Sequence, residues 1–66
     1  MKNNLRVERA IKNMTQEELA RSIGVTRQAI NSIELGKYVP STVLALKLSR
    51  YFNKAVNDIF TLEETD

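Results

Sequence analysis

The 66-residue sequence has no cysteine and no histidine. The first absence removes disulfides and thiolate metal sites, and it fits a reducing, cytoplasmic setting. The second removes the commonest metal ligand and the commonest general base, so neither a metal nor another cofactor is expected. A chain this short buries only about 60% of the surface its unfolded form exposes. With disulfides and metals excluded, helix packing and oligomerisation are left to stabilise it. Glycine occurs twice and proline once, so punctuation is sparse: Gly24, Gly36, Pro40 and the asparagines at 13, 31, 53 and 57. The longest strong apolar run is Val43-Leu44-Ala45-Leu46, far short of the roughly 20 residues that span a membrane. Residues 1–5 lack the apolar core of a targeting signal. The expectation is a single domain over residues 1–66 with no membrane partner.

Charge is unevenly placed. Residues 1–54 carry all ten basic side chains and four acids (Glu8, Glu17, Glu18, Glu34), a net of +6. Residues 55–66 carry four acids (Asp58, Glu63, Glu64, Asp66) and no base. A basic body suits a polyanion, and phosphates would repel the acidic end, which should face away from them.

Between the breaks, apolar residues recur at helical spacing. A first helix is expected over about 5–12, capped by Asn4, with Leu5, Ala10, Ile11 and Met14 inward and Asn13 as a left-handed exit. Thr15-Gln16-Glu17-Glu18 reads as a capping box that starts a short helix over 16–22, burying Leu19, Ala20 and Ile23. Gly24 follows, Val25 dips to the core, and Thr26 caps a third helix over 27–34 that buries Ile30 and Ile33. Gly36 ends that helix, Ser41 caps a fourth over 42–52, and Val56, Ile59, Phe60 and Leu62 suit one helical turn followed by an extended segment. Helices this short are marginal alone and form only when packed together. The fold class is all-α.

The segment from about 16 to 35 carries the functional signal. Two short helices crossing at about 90–120° need a small residue at their contact and positive φ in the turn; Ala20 and Gly24 meet these needs. Such a pair leaves one face of the second helix free to enter a DNA major groove. On that face lie Arg27, Gln28, Asn31 and Ser32, opposite Ile30 and Ile33. Arginine offers paired donors to guanine, glutamine and asparagine pair with adenine, and serine discriminates weakly. An ordinary solvated helix face remains the alternative.

Met14-Thr15-Gln16-Glu17-Glu18-Leu19-Ala20, Ile23-Gly24-Val25-Thr26-Arg27-Gln28-Ala29-Ile30 and Ile33-Glu34-Leu35-Gly36-Lys37 together resemble the lambdoid repressor and Cro family, the Xre-type helix-turn-helix proteins. Pro40-Ser41, Leu44, Ala45, Leu48 and Asp58-Ile59-Phe60 extend the likeness over about residues 5–60. The resemblance implies a five-helix bundle that binds double-stranded DNA as a homodimer. It makes Arg27, Gln28, Asn31 and Ser32 base-contact candidates. Gln16, Thr26, Lys37 and Tyr38 match backbone-contacting positions, and Arg9 and Glu34 match an internal ion pair. Arg6, Lys12, Lys37 and Lys47 would support the field, though each equally fits a solvated charge. Ala55 and Lys54 depart from the pattern, where a Ser, Thr or Pro is more usual, which leaves the fifth helix poorly capped.

One such module buries roughly 600–1,000 Å² on DNA. A two-fold dimer doubles that and spaces the reading helices about 34 Å apart. Val56, Ile59, Phe60 and Leu62 are the candidate interface within the 55–66 segment; closure of the core over the first helix is the other use of these residues, and both can hold. Residues 1–4 and 60–62 also suit a small antiparallel ribbon.

Catalysis finds little support. Glu17-Glu18 and Glu63-Glu64 are sequence neighbours that do not face each other on a helix, and no nucleophile elbow, P-loop or metal-ligand cluster is present. The expected function is a sequence-specific transcriptional regulator, a repressor at a palindromic operator, with no small-molecule effector. The alternative is an antitoxin-like protein-binding module that also represses its own promoter.

Overall fold

A computed structural model describes residues 1–66 as β1 (Lys2–Asn3), α1 (Leu5–Ile11), α2 (Gln16–Ile23), α3 (Arg27–Glu34), α4 (Thr42–Phe52), α5 (Val56–Ile59) and β2 (Phe60–Thr61). Three helices start where a hydroxyl satisfies an orphan backbone donor. Thr15 Oγ1 accepts from Glu18 N–H at 3.0 Å while Thr15 N–H donates to Glu18 Oε1 at 2.9 Å, completing the capping box. Hydrogen bonds from the Thr15 backbone and hydroxyl hold the Glu18 carboxyl below its ordinary pKa. Thr26 caps α3 through Ala29 N–H at 3.1 Å, and Ser41 caps α4 through Leu44 N–H at 3.2 Å. Thr15→Ala is expected to cost about 1 kcal/mol, readable as a lower midpoint in urea unfolding.

The exits follow the same logic. Gly24, Gly36, Asn13 and Asn53 all have positive φ. At Gly24 (φ 77°) an added Cβ would meet nothing within 4 Å, so the requirement there is conformational rather than steric.

α1 departs from expectation. Asn4 does not cap it: its side chain donates to the Asp58 carbonyl at 3.2 Å, and Asn3 Oδ1 instead accepts from Leu5 N–H at 3.1 Å. The cause is the ribbon. β1 pairs antiparallel with β2 (Lys2 with Thr61, Asn3 with Phe60), and Asn4 N–H donates to the Ile59 carbonyl at 2.8 Å, which turns Asn4 toward α5. Ala10 and Ile11 are exposed, while α1 buries Leu5 and Glu8. The helix is rotated so that Arg9 faces α3, and a lysine of the α4–α5 turn, Lys54, lies 3.8 Å from Glu8 Oε2.

Each helix contributes at least one fully buried side chain to a single core: Leu5, Leu19, Ile30 and Ile33, Leu48, and Ile59. Phe52 packs edge-to-face against Tyr51 at 5.2 Å. α5 is a single turn with no side-chain cap at Ala55, held by burial of Ile59. Beyond β2 the 63–66 segment folds back, and the Met1 ammonium meets Glu63 Oε1 at 3.0 Å and Asp66 Oδ1 at 3.2 Å. No helix is long and apolar enough to cross a membrane.

Candidate nucleic-acid interface

α2 and α3 meet through Ala20, which is fully buried, and Val25 N–H donates to the Ala20 carbonyl at 3.0 Å to close the turn. α3 buries Ile30 and Ile33, so its opposite face is free. Arg27 and Gln28 are exposed there; Asn31 and Ser32 are half-buried. Arg27 is not engaged by any carboxylate.

One cleft of about 470 Å³ gathers five of the expected contact residues: Thr26, Gln28, Ser32, Lys37 and Tyr38. Its floor is apolar, formed by Val25, Ala29 and Leu44. The loop after α3 thus stands beside the outer face of that helix, with Lys37 and Tyr38 exposed. Arg27, Asn31 and Gln16 lie outside this cleft.

Gln16 sits at the start of α2, as expected, but its amide is already occupied. Gln16 Nε2 donates to Asn31 Oδ1 at 3.1 Å and to Glu34 Oε1 at 3.1 Å. An ionised carboxylate only accepts, so the Glu34 contact fixes which way the Gln16 amide points, and Asn31 must then present its oxygen to Gln16. Both Gln16 amide hydrogens are used, and a phosphate would have to displace one of these partners to receive either. Asn31, in return, is held with its Nδ2 donors free and one lone pair of Oδ1 to spare. Sequence spacing did not reveal this tie, because Gln16 and Asn31 are on different helices.

Glu34 is the hub. Its side chain is 1% exposed. Arg9 Nε donates to Glu34 Oε2 at 2.7 Å, Arg9 Nη2 to Oε1 at 3.1 Å, and Arg9 Nη1 to the Met14 carbonyl at 2.8 Å. Arg6 Nε approaches Glu34 Oε1 at 3.7 Å, so this cation is tied to the α1–α3 pair. Burial works to raise the Glu34 pKa, but hydrogen bonds from Arg9 and Gln16 and the charges of Arg9 and Arg6 outweigh it, and the carboxyl stays below its ordinary value. The Arg9–Glu34 pair is therefore present as the resemblance implied. A further clamp was not foreseen: Asn3 Nδ2 donates to the Ile33 carbonyl at 2.8 Å and ties the ribbon to the end of α3. Lys12 stands over the Tyr51 ring at 5.5 Å.

The C-terminal candidates are divided. Ile59 and Phe60 are buried in the core of a single copy, the core-closure use of these residues. The reason is β2, which turns Phe60 inward beside Ile59. Val56 is half-buried and Leu62 is 78% exposed, so both remain available.

The helix-turn-helix family model matches residues 5–59. The chain belongs to the Xre-type helix-turn-helix family. Among its relatives, an HTH-type transcriptional regulator of Methanocaldococcus jannaschii is 48% identical over 66 residues, covering all of both chains. A second, YgzD of Bacillus subtilis, is 47% identical over 64 residues, covering 97% of each. The solution structure of the SOS-response transcriptional repressor LexA from Eubacterium rectale superimposes with a TM-score of 0.81 at 32% identity, covering 96% of this chain and 67% of that one. This helix-turn-helix protein is accordingly a transcriptional regulator with a DNA-binding domain. α2, α3 and the cleft beside α3 all lie within the matched region.

Proposed function

We propose that the chain is a sequence-specific repressor that binds a palindromic operator as a homodimer, with α3 in the major groove. In this reading Arg27, Gln28, Asn31 and Ser32 meet base edges, while Thr26, Lys37 and Tyr38 grip the backbone. Gln16 orients Asn31 and reaches a phosphate only by exchanging one of the two partners of its amide nitrogen. The observation that carries the reading is the cleft that brings Thr26, Gln28 and Ser32 of the α3 region together with Lys37 and Tyr38 of the following loop. Base-reading amides and hydroxyls alongside a cation are what a groove edge and its flanking phosphate require. Repression is preferred because occupancy of a promoter suffices for it, and one solved neighbour of similar fold is a repressor.

Selection of random duplexes at two salt concentrations tests this directly. A two-fold symmetric consensus that survives the higher salt supports it. Enrichment of no sequence, with binding that simply fades as salt rises, would leave only a nonspecific polyanion binder. Lys37→Ala should weaken every duplex alike and lower the salt slope by about 1; a loss confined to one sequence contradicts a phosphate role for this lysine.

A further inference from the structure

We propose that the pocket between the C-terminal halves of α2 and α4 is an anion site for a dianionic phosphoryl group, carried by free phosphate or by a phosphate monoester. The inference goes beyond the α3 reading, because this pocket shares no lining residue with the cleft beside that helix.

The pocket holds about 230 Å³ and is lined by Ser22, Ile23, Lys47, Arg50 and Tyr51, so no carboxylate lines it. Lys47 and Arg50 are three residues apart on α4, hence on one side of the helix, and both are exposed. Neither is engaged by a carboxylate. Arg50 lies in the last turn of α4, where its charge offsets the carbonyl end of the helix. That use takes its charge and leaves its N–H donors free for a ligand.

Tyr51 supplies a second, independent observation. Its hydroxyl reaches only Met14 Sδ at 3.4 Å and Ser22 Oγ at 3.5 Å. The second contact exceeds the about 2.5–3.0 Å of a full O–H···O bond, and a thioether sulfur is a weak acceptor. This half-buried phenol, facing the pocket, is therefore a donor without a strong acceptor. The Ser22 hydrogen is already given to the Glu18 carbonyl at 2.9 Å. A third cation, Lys12, stands 5.5 Å from the centre of the Tyr51 ring and adds to the positive field.

Guanidinium, ammonium and phenol together offer donors almost alone, which suits an oxyanion with several acceptor oxygens. A phosphoryl group on a monoester carries about −1.5 to −2 charges at pH 7 and three such oxygens, enough for both cations and the phenol at once. A phosphodiester has one charge and would leave one cation unmatched. The volume is below the roughly 300–1,000 Å³ of pockets that enclose an organic ligand, so the phosphoryl group sits inside and the rest of a monoester extends outward.

Titration of the isotope-labelled full chain with inorganic phosphate, at ionic strength held constant with sodium chloride, tests the proposal. Saturable shifts are expected at the amides of Ser22, Ile23 and residues 47–51 and at the Arg50 Nε–H. The dissociation constant should be on the order of 1 mM, as two or three charge-assisted hydrogen bonds give. Tyr51→Phe should weaken binding about tenfold, and Lys47→Gln with Arg50→Gln at least about a hundredfold, with circular dichroism showing each fold retained. Should the double variant unfold, either single change serves in its place. Glycerol phosphate distinguishes the sources: binding as tight as that of phosphate assigns a monoester, and exclusion assigns the free ion. Dimethyl phosphate binding equally well overturns the dianion assignment and makes the pocket a contact for nucleic-acid backbone. Shifts that chloride alone reproduces, or that survive unchanged in the variants, overturn the site and leave the α3 reading standing.

Discussion

Glu34→Ala is expected to lower the unfolding free energy by about 3–5 kcal/mol. The substitution removes a carboxylate that is almost wholly buried and leaves Arg9, 15% exposed, with two of its three hydrogen bonds gone. It also frees Gln16 from its fixed orientation. Loss of one partner of a buried pair is costly because the other charge remains desolvated. The figure is a large share of the about 5–15 kcal/mol that stabilises a typical domain, so urea unfolding should show it plainly. A change under 1 kcal/mol, on the order of an exposed pair, would mean that the bridge adds little. The pH dependence has a definite sign. Because the folded-state pKa of Glu34 lies below its ordinary value of 4.5, its contribution is present above about pH 4.5 and is lost as pH falls through the depressed value. In Glu34→Gln that acid-side loss should be smaller than in the wild type, while the carboxylates of Glu18 and Asp66, lowered in the same direction, keep part of the slope.

The second large effect falls on binding rather than folding. Arg27→Ala is expected to cost about 1–3 kcal/mol on the preferred duplex and to flatten the preference at one base pair. The guanidinium is exposed at the start of α3 and is free of internal ion pairs, so nothing within the chain competes for it. The same freedom predicts an unfolding midpoint close to that of the wild type, since exposed substitutions away from special features stay within about 0.5 kcal/mol. Competition binding with duplexes altered one pair at a time reads both the loss and its position. Equal weakening on all duplexes would move Arg27 to the phosphates.

Local chemistry made much of this architecture readable in advance. Thr15, Thr26 and Ser41 cap their helices because a short hydroxyl satisfies an orphan donor wherever the chain enters a helix from extended backbone. Asn13, Gly24, Gly36 and Asn53 take the left-handed exits for which such residues are suited. Long-range ties were harder to read. Apolar spacing places Ile11 on the inward side of α1, whereas the reach of Arg9 to Glu34 sets the helix rotation and leaves Ile11 exposed. Asn4 has the side chain of a helix cap, but the pull of α5, across more than fifty residues, leaves no trace in local spacing. The tie between Gln16 and Asn31, and the absorption of Ile59 and Phe60 into the core, likewise depend on how separate elements pack.

In the proposed function, the outer face of α3 touches nucleotides through its side chains. Titration of the isotope-labelled chain with its selected duplex, followed by amide and side-chain resonances, tests it most directly. The amides of residues 27–32 and the side-chain amides of Gln28 and Asn31 should shift most strongly, joined by those of Lys37 and Tyr38. If that stretch stays unmoved while resonances elsewhere respond, α3 is not the reading helix.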